Sequence, residues 1–174
     1  MSTTTIEERL AEIRDRIDRL RAGERSAPPT ERARLRRHLD VLEHEEASAH
    51  DAVRHAPDEV DEKLGQVSTR LDVAEHSLAA DVSDDWASFA AAVEAELRSW
   101  DTYLERVQAS VAAKAWKARE RAEAAIGDVR SRRIEVDERL AQARDATSEN
   151  ARERVTAARD QLEAKADELS ARIK

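Results

Sequence analysis

Apolar residues recur at steps of three and four positions along almost the whole chain, the spacing that places side chains on one face of an α-helix. The first such run follows Thr4, which has capping-box spacing with Glu7, and it stops near Gly23, a residue typical of helix ends. Residues 1–23 are therefore predicted to form a short amphipathic helix, and residues 24–29, which include two prolines, a stiff connector.

A second helix is predicted to begin at Thr30 and to carry a heptad-like apolar stripe on both sides of Pro57. Proline inside a helix removes a backbone hydrogen bond and clashes with the preceding turn, so it either kinks or splits the helix. Because the stripe has the same spacing before and after Pro57, we predict a kink. Glu46 interrupts the stripe. It either specifies register, as a polar core residue does in coiled coils, or simply reaches solvent near the kink, and we favour the second interpretation.

The segment from Asp81 to Trp86 is the next predicted break, with Ser83 or Asp84 as the cap of the following helix. From Trp86 onward the apolar spacing changes to repeated steps of three, four and four. This is an eleven-residue repeat of about 3.67 residues per turn, which is typical of a nearly straight helix.

The eleven-residue repeat continues in phase past Gly127, and one glycine inside a helix costs only about 1 kcal/mol relative to alanine. We therefore predict one helix from about Ser83 to Lys174, with a second weak point at residues 145–150. The alternative is a turn near Gly127, which is favoured by Arg133 at a position where the repeat requires an apolar residue.

These patterns predict an all-α protein, in which a long antiparallel helical hairpin or coiled coil over residues 30–174 follows the short N-terminal helix. A turn near Gly127 would instead produce a closed three-helix bundle. A helix over residues 83–174 would be about 135 Å long and its partner over residues 30–80 only about 75 Å, so the arm beyond Gly127 would need a second chain. The predicted interface residues are Trp116, Val136, Leu140, Val155, Leu162, Leu169 and Ile173.

The composition limits the classes of function. Of the 174 residues, 39% are charged and 3% are aromatic, which is typical of long helices and coiled coils. The net charge of −8, with basic residues interspersed among acidic ones, argues against a nucleic-acid partner. The chain has no cysteine, which excludes disulfides and thiolate metal sites. We expect a cytoplasmic location because no signal segment or membrane-length apolar run is evident.

Two sets of residues are candidates for a chemical role. Five histidines lie between His38 and His76, and a carboxylate precedes four of them by one helical turn. A dinuclear metal site in a helical bundle uses Glu-x-x-His motifs on facing helices, and that motif is absent. We therefore predict neither a metal nor another cofactor, and interpret these pairs as solvated neighbours on the outer helix face. The histidines are His38, His44, His50, His55 and His76.

All five aromatic residues lie between Trp86 and Trp116. Three of them fall on the apolar stripe and are interpreted as packing residues. Trp116 falls off the stripe between Lys114 and Lys117, and is predicted to be an exposed contact for a partner or an anionic surface. No glycine-rich phosphate loop and no nucleophile grouping is present, so we predict that the protein is not an enzyme.

The favoured function is a non-enzymatic coiled-coil scaffold or protein–protein interaction protein, which self-associates as a dimer or binds a helical protein partner. The eleven-residue repeat is similar to those of exchangeable apolipoproteins and of dehydration-protective helical proteins, which implies binding to a lipid or hydrophobic surface. This alternative is not favoured, because no proline follows Pro57 and the alanine-rich face offers little area to bury. A second alternative is a metal-binding helical bundle that uses the histidines.

Overall fold

The computed structural model describes residues 3–145 and 150–173, and within them the chain forms six α-helices, one 3₁₀ turn and no strand. The prediction of an all-α protein is confirmed. The helices are α1 (Thr3–Ser26), α2 (Pro29–His55), α3 (Val60–Asp81), α4 (Trp86–Ala112), α5 (Trp116–Asp145) and α6 (Ala151–Arg172), and the 3₁₀ turn is Pro57–Glu59.

The chain divides into two compact units, residues 1–106 and residues 107–174. In the first unit, α1, α2 and α3 pack against one another. Arg21 of α1 pairs with Glu43 of α2, while Arg14 pairs with Glu46, so these two helices run antiparallel. Because the chain folds back again at the 3₁₀ turn, α3 runs parallel to α1 and antiparallel to α2.

The core of these three helices is an apolar cluster built from one stripe of each helix. It forms because residues at three- and four-residue steps share a helix face, and their burial contributes roughly 25 cal/mol for each Å² removed from water. The predicted stripe of α1 is buried here from Leu10 onward, with Ile6 packed at its edge. The largest members are Leu10, Ile13, Ile17, Leu20, Leu35, Leu39, Leu42, Leu64 and Leu71.

Ion pairs between helices fix the register in which the apolar stripes pack. Arg16 of α1 donates to Glu75 of α3 at 2.8 and 2.9 Å and to Asp72 at 2.6 Å. The hydrogen bonds to Glu75, and then those to Asp72, raise the pKa of the Arg16 guanidinium above its ordinary value. Arg34 of α2 donates to Asp81 of α3 at 2.5 Å, and both side chains are only 4% exposed. Buried charges of this kind are retained only when they are paired.

The contacts between α3 and the part of α4 in the first unit include polar and aromatic groups. The Arg70 guanidinium lies 4.4 Å from the Trp100 ring centroid, and His76 Nδ1 lies 2.9 Å from Ser99 Oγ. Arg106 lies against Gly65. Positions that increase along α3 therefore meet positions that decrease along α4, so these helices are antiparallel.

The start of α4 is held by Asp85, which lies one or two residues after the predicted caps Ser83 and Asp84. The Asp85 carboxylate accepts hydrogen bonds from the Ser88 hydroxyl at 2.7 Å and the Ser88 backbone N–H at 2.8 Å. These bonds lower the pKa of Asp85, because they stabilise its ionised form.

The second unit contains the end of α4, α5 and α6. Arg132 of α5 donates to Gln161 of α6 at 3.0 Å, and Lys114, just before α5, donates to the carbonyl of Ile173 at the far end of α6. The two helices are therefore an antiparallel hairpin. Arg130 of α5 also donates to Gln108 at the end of α4 at 2.5 Å.

Two predictions of an uninterrupted helix are wrong. Pro57 does not kink one helix but lies in the turn where α2 ends and α3 folds back along it. The predicted single helix from Ser83 to Lys174 is interrupted, because α4 ends at Ala112 and α5 begins at Trp116. Of the weak point predicted at 145–150, residues 146–149 lie outside the described residues, and α6 begins directly after Asn150.

The predicted continuity through Gly127 is confirmed, since α5 passes through this residue without a break. The alternative of a turn near Gly127 is therefore wrong. Gly23, predicted to end the first helix, instead lies inside α1, where an added Cβ would approach Leu78 Cδ2 to 2.6 Å. An added Cβ at Gly127 meets nothing within 4 Å.

We expect Gly127→Ala to raise the free energy of unfolding by about 0.5–1 kcal/mol, because alanine has the higher helix propensity and its methyl group fits without a clash. The matched control is Gly23→Ala, where the contact with Leu78 offsets the same gain in propensity. Urea denaturation followed by circular dichroism measures both variants. A Gly127→Ala variant no more stable than wild type would contradict the open surroundings described for this position.

We expect Asp81→Leu to lower the free energy of unfolding by about 3 kcal/mol, because it removes the carboxylate that pairs with the buried Arg34 charge. The double variant Arg34→Met/Asp81→Leu should lose much less stability than the sum of the losses in Arg34→Met alone and Asp81→Leu alone. Asp15→Ala, which breaks an exposed pair with Arg19, is the control and should change stability by less than about 0.5 kcal/mol. Additive effects at Arg34 and Asp81 in the same denaturation assay would disprove the coupling.

Candidate interaction surface

Two large apolar side chains are exposed on one side of α5. Trp116 is 75% exposed, as predicted from its position off the stripe, and Ile134 is 53% exposed. They are 18 positions apart, which at 3.6 residues per turn is five full turns, so they point in the same direction about 27 Å apart. We call this side the outer face of α5, and its residues are Trp116, Glu120, Glu123, Gly127, Ser131 and Ile134.

The opposite side of α5 is covered by its own chain. The predicted interface residues Val136 and Leu140 of α5 are buried, as are Val155, Leu162 and Leu169 of α6, and Ile173 is half-buried. The structure therefore brings these residues together inside the α5–α6 hairpin and leaves Trp116 outside it. The arm predicted to need a second chain already has a partner, because α6 folds back along α5.

Gly127 lies on the outer face, between the two exposed apolar side chains. A glycine inside a helix is unfavourable by about 1 kcal/mol, and this one is not required by a turn, by positive φ or by a neighbouring group within the described residues. Without a Cβ, the helix backbone is open to close approach at this point. This signal was present in the sequence, but its meaning depended on knowing which side of α5 is covered.

The remaining residues of the outer face are acidic or have small side chains. Glu120 and Glu123 are exposed in its first half, and Glu123 accepts a hydrogen bond from Arg119 at 2.7 Å. Arg130 lies at the edge of the face in its second half and donates to Gln108. The face therefore has carboxylates nearer Trp116 and a guanidinium nearer Ile134.

The lysines beside Trp116 differ in their surroundings. Lys114 is half-buried and donates to the carbonyl of Ile173, so its charge is directed to the end of α6. Lys117 is exposed. The predicted pair of free lysines around an exposed tryptophan is thus reduced to one.

A second polar cluster lies deep in the first unit, between α3 and α4. Arg70 is 1% exposed and stacks over Trp100, with the Tyr103 ring 5.6 Å away. The two rings meet edge to face at 5.8 Å, and Tyr103 donates to Glu45 of α2 at 3.4 Å. These groups stabilise one another by cation–π and hydrogen-bond contacts in a water-excluded layer. We interpret them as packing residues, since Arg70, Trp100 and Tyr103 are each no more than 1% exposed.

The histidines are dispersed. His38, which has no carboxylate one turn before it, is 1% exposed. Of the predicted pairs, His44 and His55 are exposed, whereas His50 and His76 are half-buried, against Arg14 and Ser99 respectively. His50 lies 3.6 Å from Glu46, and His55 lies 3.6 Å from Asp51, as their spacing predicts. Within residues 3–145 and 150–173, no three His, Asp or Glu side chains are placed to hold a metal ion.

Glu46 has a different role from the predicted one. Its side chain is 15% exposed and accepts two hydrogen bonds from Arg14 of α1, at 3.0 and 3.1 Å. It therefore links α1 to α2 rather than simply reaching solvent.

Neither a protein-family model nor any curated protein or solved structure matches this chain. In the described part of the chain, each helix is too short or too polar to cross a bilayer. The outer face of α5 is thus identified by its geometry alone.

We expect Trp116 to account for most of the fluorescence that iodide quenches, because Trp100 is fully buried and Trp86 is half-buried. Trp116→Phe should remove most of the quenchable emission, whereas Trp100→Phe should leave it in place. Stern–Volmer quenching of dilute protein measures this. Equal quenching of wild type and Trp116→Phe would show that Trp116 is covered in solution.

Proposed function

We propose that this chain is a non-enzymatic helical scaffold that self-associates through the outer face of α5. The observation that carries the proposal is the alignment of Trp116 and Ile134, both more than half exposed, on one side of a helix whose other side is already packed. A compact helical chain buries most of its large apolar residues, so two that remain exposed on one helix face are the basis for proposing a contact surface there.

The energetics favour a weak, reversible complex. Tryptophan is the residue type that contributes most often to interface hot spots, and burying its ring removes about 150–250 Å² from water. One helix face, however, is smaller than the roughly 800 Å² per partner of a stable dimer. We therefore expect a dissociation constant on the order of 10 µM to 1 mM, equivalent to about −7 to −4 kcal/mol.

Charge favours a protein partner over an anionic lipid surface. The outer face presents Glu120 and Glu123 beside Trp116, and these carboxylates would be repelled by anionic headgroups. Lys114, which would have supported binding to such a surface, is directed to the Ile173 carbonyl. The apolar stripes that resemble apolipoprotein repeats are buried within the chain, so a lipid surface would have to compete with the hairpin.

The metal-binding alternative has no observation in its favour. The five histidines lie on α2 and α3, at different depths and with different neighbours. Their carboxylate contacts are single pairs within one helix turn.

We expect the average mass of the purified chain to rise from monomer toward dimer as its concentration increases from about 5 µM to about 1 mM, the range set by the weak affinity. Trp116→Gln and Ile134→Gln should each keep the chain monomeric in that range, because they remove the apolar contacts without changing charge. Sedimentation equilibrium gives the masses, and circular dichroism checks that helicity is unchanged.

Val82→Gln is the matched control, since Val82 is an exposed apolar residue, 54% accessible, that lies outside α5. It should associate like wild type. A wild-type chain that stays monomeric throughout, or a Val82→Gln effect equal to that of Trp116→Gln, would disprove the proposed function. Adding anionic vesicles to dilute protein tests the lipid alternative, which requires a shift of Trp116 emission.

A further inference from the structure

We propose that two copies of the chain pair antiparallel along the outer face of α5, with Trp116 of each copy against Ile134 of the other. This inference rests on the proposed function and specifies the orientation and register of the complex. It is drawn from the position of two apolar residues, one glycine and the charges around them.

The spacing on α5 is self-complementary in the antiparallel orientation. Trp116 and Ile134 are each nine positions from Ala125. A two-fold axis at the level of Ala125 therefore places Trp116 of each copy level with Ile134 of the other. Such an axis makes the same contact twice, which is the property of an interface between identical chains. Each tryptophan then covers an apolar side chain that is exposed in the single chain.

The charges disfavour the parallel orientation. In a parallel pair, Glu120 faces Glu120 and Glu123 faces Glu123, and like charges placed together across an interface are unfavourable. In the antiparallel pair, Glu120 comes level with Arg130 and Ser131 of the second copy. Glu123 then lies about one helical turn from that Arg130, within reach of its long side chain.

Gly127 gives the pair a place for close approach. In this register it is level with Glu123 of the second copy, near the centre of the contact. The distance between packed helices depends on the side chains at the crossing point, and a residue without a Cβ permits the shortest distance. Close approach of the second copy would account for a glycine at position 127, which no contact within the described residues explains.

The orientation is tested with single-cysteine variants, since the chain has no cysteine of its own. Glu120→Cys and Ser131→Cys are prepared separately and treated with a short bifunctional thiol crosslinker, alone and as a mixture, at a concentration where the mass shows dimer. The antiparallel register predicts crosslinking of the mixture and of neither variant alone. In that register, two copies of position 120 are about 15 Å apart along the helix, and two copies of position 131 about 18 Å.

The matched control is a mixture of Glu120→Cys with Glu138→Cys, whose thiols lie on the same side of α5 but about 12 Å out of register. It should crosslink far less than the Glu120→Cys and Ser131→Cys mixture. Crosslinking of either single variant by itself would overturn the antiparallel pair and leave self-association intact. A dimer by mass with no crosslink in any sample would also overturn the register, whereas a monomeric wild type would remove the proposed function as well.

Gly127→Ala supplies a second test, in which weaker dimerisation cannot be caused by loss of the folded structure. The variant should be more stable than wild type, yet dimerise roughly tenfold more weakly, because an added methyl group is poorly tolerated at a closely packed contact. A Gly127→Ala chain that dimerises as tightly as wild type would overturn the close crossing at this residue.

Discussion

Burial of one narrow apolar stripe per helix against the neighbouring helix is the interaction on which this structure depends. The stripes consist mainly of leucine, valine and alanine, and most other surface positions are charged. Such a helix is unstable alone, because its propensity does not offset the cost of ordering the chain. Each stripe therefore has to be covered, and the fold is the set of pairings that covers them within one chain.

Small apolar residues allow a stripe to pack against many partner helices. Buried or half-buried ion pairs select one partner and one register. An alanine-rich stripe fits many partners, since it has few large side chains to interlock. Arg16 with Glu75 and Arg34 with Asp81 each join positions far apart in the sequence, and a shifted register would leave a charge without its partner. The layer of Arg70, Trp100 and Tyr103 adds a charged and aromatic contact between α3 and α4.

The outer face of α5 is what remains once the stripes are paired. It is not a continuation of the apolar repeat but lies opposite to it, and it has only two large apolar groups, Trp116 and Ile134. Its small size is the reason we expect a contact there to be reversible, and its glycine and separated charges are the reason we propose the antiparallel orientation. The residues on the repeat itself, among them Val136, Leu140 and Leu162, are buried.

The sequence by itself determined the features that depend on local spacing. It predicted the all-α class, the passage of a helix through Gly127 and the exposure of Trp116, because three- and four-residue steps report which residues share a helix face. Only the tertiary structure decided which faces are covered. The break between Ala112 and Trp116 consists of alanine and lysine, which are good helix formers, so no local signal marks it; there Lys114 instead reaches the end of α6. Pro57 permits either a kink or a turn, and the choice followed from the packing of α3 on α1 and α2. The exposure of Ile134 and Gly127 was decided in the same way, since exposure depends on contacts between residues distant in the chain.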